Sequence, residues 1–171
     1  MKKSIGILGL ILVLLLAFGV NVQAQSKEVS ATGTTTWYVI SKILPIGEGI
    51  FYMTYEGIGT NISDTGQGLF HNGTVRTLGA MKIEKGIYKD ERGWGVYNLQ
   101  NGDKVFITYT FAGEMKPSGV GFARGTTTMT GGTGKAAGIQ GSAELTRTSV
   151  RSGIDGVGLS YTKQKIKYTL P

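Results

Sequence analysis

The chain has 171 residues, with 18 Lys and Arg against 11 Asp and Glu, one His, no Cys and 28 Gly. The lack of cysteine excludes a disulfide framework, a zinc knuckle and a thiol nucleophile, and a single histidine excludes paired-imidazole chemistry. Glycine is far above its usual ~7%, but it has no period of three and 40% of the chain is hydrophobic, so collagen-like and disordered readings fail.

Lys2 and Lys3 precede an apolar run over 5–20, then Val22 and Ala24. This is the three-part pattern of a secretory signal of bacterial type, with cleavage expected before Gln25. An uncleaved anchor is the alternative, but a spanning helix wants ~20 apolar residues and this run is shorter. Residues 1–24 are therefore expected to be a signal peptide and 25–171 a single domain, secreted or periplasmic. Without Lys2 and Lys3, 16 basic residues face 11 acidic ones. An exported protein with this moderate excess is not expected to meet nucleic acid; the charge is expected to be an ordinary solvated surface, and lipopolysaccharide, anionic lipid or acidic polysaccharide is the partner it would match as the alternative.

After the leader, strand-forming stretches rich in Thr, Val, Ile, Tyr and Phe alternate with glycine. The pattern predicts strands at 29–41, 49–58, 74–84, 86–99, 104–113, 124–130, 141–149 and 159–170, with no sustained helical period. About eight strands suffice for an antiparallel barrel that either fills its interior or holds one small ligand. Over 50–56, Phe51, Met53 and Tyr55 share one face, and Ile50, Tyr52 and Thr54 the other, so this strand wants cover on both sides. A cavity occupant or a neighbouring subunit would provide it. Residues 64–73 form a Gly-rich loop or short lid. Asn101 and Gly102 predict a tight primed hairpin turn with positive φ at both residues. Beyond that turn, Val105, Ile107, Tyr109 and Phe111 share one face, with Phe106 opposite.

Residues 125–141 read Gly-Thr-Thr-Thr-Met-Thr-Gly-Gly-Thr-Gly-Lys-Ala-Ala-Gly-Ile-Gln-Gly. This segment resembles the strand, Gly-Gly-Thr-Gly turn and following strand of the allene oxide cyclase and dirigent-type barrels. The resemblance implies an all-β, eight-stranded, antiparallel calycin-like barrel with an apolar central cavity, commonly trimeric, and hence a homo-oligomer. Ala136 and Ala137 stand where those families carry a bulky aromatic, and Gln140 where dirigent proteins often carry Arg. Their acidic, Tyr and Asn cavity constellation has no match, so neither activity is carried over. The segment is not a phosphate loop either: Met129 and Ala136 stand where that loop needs Gly and Ser or Thr. The glycines at 131, 132 and 134 are explained by a tight turn.

Candidate chemistry is sparse, and no cofactor or metal motif is present. His71 would need an orienting carboxylate to act as a base, and Asp64 is the nearest in sequence; a plain loop histidine is the alternative. Glu56 ends an aromatic-rich stretch. Turned inward, it would have its pKa raised by burial and act as a general acid or base at the cavity mouth, with Arg76 and the hydroxyls of Tyr52 and Tyr109 as partners. Turned outward, it is an ordinary surface carboxylate. Lys163, Lys165 and Lys167 form a basic stripe that would dock on an anionic envelope surface or guard an exposed sheet edge. Glu114, Lys116 and Pro117 read as loop, and the sequons at Asn61 and Asn72 carry little weight beside a bacterial-type leader.

The expected function is binding of a small hydrophobic or aromatic molecule in a Tyr-lined interior. A cofactor-free cyclase or isomerase is the rival, since such enzymes act largely by holding a substrate in one shape. Buried polar residues converging in the cavity would favour the enzyme; a wholly apolar or filled interior would favour binding or a structural role. A small outer-membrane barrel is the third reading, disfavoured by the polar strand at 126–130 and by the terminal Leu170 and Pro171.

Overall fold

A computed structural model of the chain describes residues 27–118 and 120–171; the expected signal peptide and its cleavage before Gln25 lie outside the described residues. Eight strands run in sequence order: β1 (Glu28–Gly47), β2 (Ile50–Ser63), β3 (Thr74–Glu84), β4 (Ile87–Asn98), β5 (Lys104–Met115), β6 (Gly121–Gly132), β7 (Gln140–Val150) and β8 (Val157–Thr169). Each pairs antiparallel with the next, and β8 returns to β1, so the sheet is a closed barrel. The expected all-β, eight-stranded antiparallel barrel is therefore the fold.

Alternation decides what faces inward. In β5, Val105, Ile107, Tyr109 and Phe111 are buried, while Phe106 lies outside. The interior is divided between two ends. At the base, where the β2–β3, β4–β5 and β6–β7 connections gather, Val75, Tyr97, Leu99, Val105 and Ile139 are packed solid. Residues 64–73 cap that base instead of covering a mouth. Phe70 enters the barrel end and meets the edges of Tyr97 and Tyr168, with ring centroids 5.1 and 5.6 Å away. Asn61 Nδ2 donates to the Phe70 carbonyl (2.9 Å), and Gln164 Nε2 donates to Asn61 Oδ1 (2.6 Å), so the plug is tied to two strands.

Three expectations change in the folded chain. Asn101 and Gly102 do not form a two-residue primed turn: Leu99 N donates to the Asp103 carbonyl (2.8 Å), Gly102 N donates to the Leu99 carbonyl (3.0 Å), and only Gly102 has positive φ. Three loop residues with glycine in the left-handed position give the same reversal with one strained residue fewer. The Gly-rich segment at 131–134 leads into a short 3-10 turn, Gly134–Ala136, which sets Ala136 in the base where a larger side chain has no room. The lysines of β8 guard no edge, because that strand is paired on both sides; Lys165 lies opposite Glu144, and Lys167 reaches Glu28 at 3.9 Å.

Replacing Phe70 by Ala removes the plug from two aromatic partners, and the expected loss is ~3–5 kcal/mol. Urea denaturation measures it; a loss below about 1 kcal/mol would show that the loop merely lies over the base.

Candidate functional site

The mouth half of the barrel is built differently, and the cause is a bulge in β4. Strict alternation would put Tyr88 and Glu91 on opposite faces. The register with β5 slips between Tyr88 and Glu91, and the extra backbone lets both point inward while Lys89 and Asp90 stay in solvent. Glu91 is 0% exposed, the largest fully buried side chain among the described residues.

A buried carboxylate needs partners, and two other strands, β2 and β7, supply them. Arg147 from β7 grips it with two hydrogen bonds: Nη1 donates to Oε1 (2.7 Å), and Nη2 donates to Oε2. Tyr55 from β2 donates its hydroxyl to Oε1, and the Tyr109 hydroxyl of β5 lies 2.8 Å from that of Tyr55. With the Tyr55 proton committed to Glu91, Tyr109 is the donor in that last contact. Arg147 Nη2 also donates to the Tyr88 hydroxyl (3.0 Å), and its guanidinium lies over the Phe111 ring, 4.3 Å from the centroid. Arg147 Nε is buried without a hydrogen-bond partner.

Two glycines make space for this arrangement. Gly79 of β3 and Gly93 of β4 lie opposite one another, and a Cβ on either would collide with the hydroxyl of Tyr109. At Gly79 it would also strike Tyr55. Glycine within a strand here marks the close approach of a side chain.

The electrostatics follow from burial. Burial pushes the Tyr55 hydroxyl up, and the charge of Glu91 pushes it further. Burial likewise raises Tyr88 and Tyr109. Arg147 is pulled down by burial, but the charge and hydrogen bonds of Glu91 outweigh that pull and hold it above the ordinary guanidinium value. The site therefore holds a charged pair that cancels itself, ringed by protonated phenols.

Only part of this cluster meets open space. A mouth of about 410 Å³ opens between β1, β2 and the β7–β8 connection; its walls include Val39, Met53, Met81 and Leu159, and Tyr55 and Arg147 lie at its floor. Below the same two residues an inner chamber of about 50 Å³ continues among Trp37, Thr77, Tyr109 and Thr162. The mouth is of ligand size, and the chamber exceeds the ~10–15 Å³ that one water requires. Glu91 lines neither space. It sits behind Tyr55 and Arg147 and fixes how they face the cavity.

The structure distributes the residues expected from sequence over three places. Tyr109 is inside, in the chamber wall. Tyr52, Glu56 and Arg76 are on the outer wall, where Glu56 accepts a hydrogen bond from Arg76 Nε, so the four are not brought together. His71 is at the base, its Nδ1 accepting from the Ser63 amide (3.3 Å), at the opposite end from the mouth. Glu91, Arg147, Tyr55 and Trp37 were not singled out from sequence. Arg147 was within reach, since it follows Ala143 and Leu145 at period two on the inward face of β7. Glu91 was hidden in the run Lys89-Asp90-Glu91-Arg92, which reads as a solvated face until the bulge is known. Searches against protein-family models, curated proteins and solved structures find no match to the chain.

Two outcomes are expected. Removing one member of the buried pair, by Glu91→Gln or Arg147→Met, costs ~3–5 kcal/mol, whereas Glu91→Met with Arg147→Leu recovers most of it. Denaturation of the three variants measures this, and a double variant no better than the singles would contradict the assignment. Raising the pH gives the second. Burial pushes Tyr97 up to about 12 from 10.0, and Tyr55, Tyr88 and Tyr109 shift in the same direction. The folded state holds these protons more tightly than the unfolded state does, so the stabilising effect of Tyr97, roughly 3 kcal/mol, is intact below pH 10 and lost between 10 and about 12, and that of the other three also declines as the pH rises above 10. The share of phenolate absorbance that belongs to buried Tyr55, Tyr88, Tyr97 and Tyr109 should rise late and together with unfolding; ionisation of all eight tyrosines in one smooth step near 10 in a folded protein would contradict it.

Proposed function

We propose that the protein is an exported barrel that binds a small hydrophobic or aromatic molecule through the open mouth, with Tyr55, Tyr109 and Arg147 orienting its polar end. The observation that carries this reading is the continuity of a mouth walled in part by Val39, Met53, Met81 and Leu159, with Ser149, Arg151 and Asp155 among its polar residues, and a polar floor whose groups are fixed in place by Glu91. Preorganised groups of this kind lower the ordering cost of binding. The leader pattern supports export, and the resemblance at 125–141 supports a cavity-bearing barrel.

A second reading, a cofactor-free cyclase or isomerase, is favoured by the hydrogen bond from cavity-facing Tyr55 to buried Glu91. In such a step the Tyr55 oxygen would take up a proton from the ligand as its own proton passes to Glu91, and the reverse relay would return a proton to the rearranged product. Buried polar side chains do converge on the cavity, Tyr55, Tyr109 and Arg147 among them, which favours the enzyme; binding remains the leading function because both Glu91 oxygens are already engaged and Glu91 lines neither space. The outer-membrane reading has less support. Lipid-facing strands present apolar residues outward, whereas Arg124, Glu144 and Lys165 face outward here.

Native mass spectrometry of the purified chain is expected to show a co-purifying small molecule, and a thermal-shift panel of phenols and lipids should identify a stabilising class. At a hundredfold excess over Kd the gain is ~2.7 kcal/mol. Met81→Trp, which fills the mouth, should abolish that shift while the fold persists. An empty preparation with no shift across the panel would overturn the binding reading. Conversion of the bound compound, lost in Tyr55→Phe with binding retained, would decide for the enzyme.

A further inference from the structure

We propose that the inner chamber receives the head of the ligand and that this head is an uncharged oxygen group, a hydroxyl or a carbonyl, so that the barrel takes alcohols and ketones and rejects carboxylates. The inference rests on the binding reading above and narrows it to one chemical class.

The chamber owes its shape to residues without side chains. Gly57 and Gly59 of β2 face inward, and a Cβ on them would lie 3.4 and 2.9 Å from the Trp37 ring; at Gly57 it would also lie 2.9 Å from Thr77 Oγ1. The indole therefore rests close against the sheet, and about 50 Å³ stays open beside it. Water occupies ~30 Å³ per molecule in the liquid, so this is room for a head group and not for a ring. The walls are rich in hydroxyls: Thr35, Thr77, Thr127 and Thr162 are each no more than 6% exposed. Thr162 Oγ1 accepts from Trp37 Nε1 (3.1 Å), which leaves its own proton to give. Hydroxyls shut away from bulk water favour an occupant that can hydrogen-bond over one that cannot.

Charge decides which polar head fits. Among the described residues that line the chamber, Arg147 is the one charged side chain, and Glu91 already holds it with two hydrogen bonds. A ligand carboxylate would have to share that guanidinium with Glu91 and bury a net negative charge. Arg151 and Asp155 stand at the mouth and do not line the chamber. Arg147 Nε, buried with no partner, leaves the cluster with a donor in excess. What the floor lacks is an acceptor that brings no charge, and a hydroxyl or carbonyl oxygen is that group.

The test is calorimetric titration at pH 7 with four compounds of one body: propylbenzene, 4-propylbenzyl alcohol, 4-propylacetophenone and ionised 4-propylbenzoate. The alcohol and the ketone are expected to bind about tenfold more tightly than propylbenzene, the effect of one net hydrogen bond. Both are expected to bind roughly a hundredfold more tightly than the benzoate. Trp94→Phe on the outer wall leaves Trp37 as the sole tryptophan, and its emission is expected to change as the alcohol or ketone enters. Thr162→Val, checked for folding by circular dichroism, is expected to cut the advantage of the alcohol over propylbenzene to about threefold or less; should it unfold, the ranking of the four compounds on the unsubstituted chain decides. Benzoate bound as tightly as the alcohol, no advantage of alcohol or ketone over propylbenzene, binding without a change at Trp37, or an undiminished advantage in folded Thr162→Val would each overturn the proposal while leaving the binding reading in place. No binding by any of the four would also overturn it, whereas the binding reading falls only with an empty preparation and a panel without a shift.

Discussion

A carboxylate and a guanidinium held inside a β-barrel are costly unless each finds nearly all of its hydrogen bonds there, and the mouth half of this molecule is arranged around that requirement. Glu91 takes both of its oxygens to Arg147 and one of them to Tyr55; Arg147 extends to Tyr88 and rests on Phe111. The pair ties β4 to β7 across the barrel, while Tyr55 and Tyr109 bring in β2 and β5. Strands far apart in sequence are thereby fixed by groups that a purely apolar filling would replace. Such a cluster contributes less to net stability than its bond count suggests, but it sets one geometry.

The two ends of the barrel divide the work of stability and access. The base is filled by Phe70, Tyr97 and the aliphatic side chains around them, and Asn61 and Gln164 consume their polar groups on each other and on the loop backbone. Because the base is solid, the mouth can stay open without emptying the core. Closure between β1 and β8 removes sheet edges along the paired length, so stability does not depend on covering them. What remains outside is a mixed wall, in which exposed Tyr38, Ile58, Leu78, Trp94, Phe122 and Tyr161 stand among Thr, Lys, Arg and Glu.

Much of the barrel was legible in the sequence, because glycine punctuation and period-two alternation are local signals. Every predicted strand has its counterpart, and the strand expected at 74–84 matches β3 at both ends. The site was harder to read. The bulge in β4 depends on pairing with β5, a long-range event that leaves no trace among Lys89, Asp90 and Glu91 themselves. Glu56 drew attention because aromatics precede it, yet register with β1 and β3 turns it outward beside Arg76. Gly79 and Gly93 lie inside strands, and their role appears only when two tyrosine hydroxyls occupy the space they leave.

The most direct test of this account is nitrogen-15 NMR of the arginine side chains in the folded chain. If the ion pair is buried as described, the Arg147 guanidinium gives resonances that exchange slowly with water, carry a ring-current shift from Phe111, and lose both properties in Glu91→Gln. Guanidinium protons that all exchange at the rate of free arginine would mean that Arg147 lies in solvent, and the polar floor of the cavity would not exist.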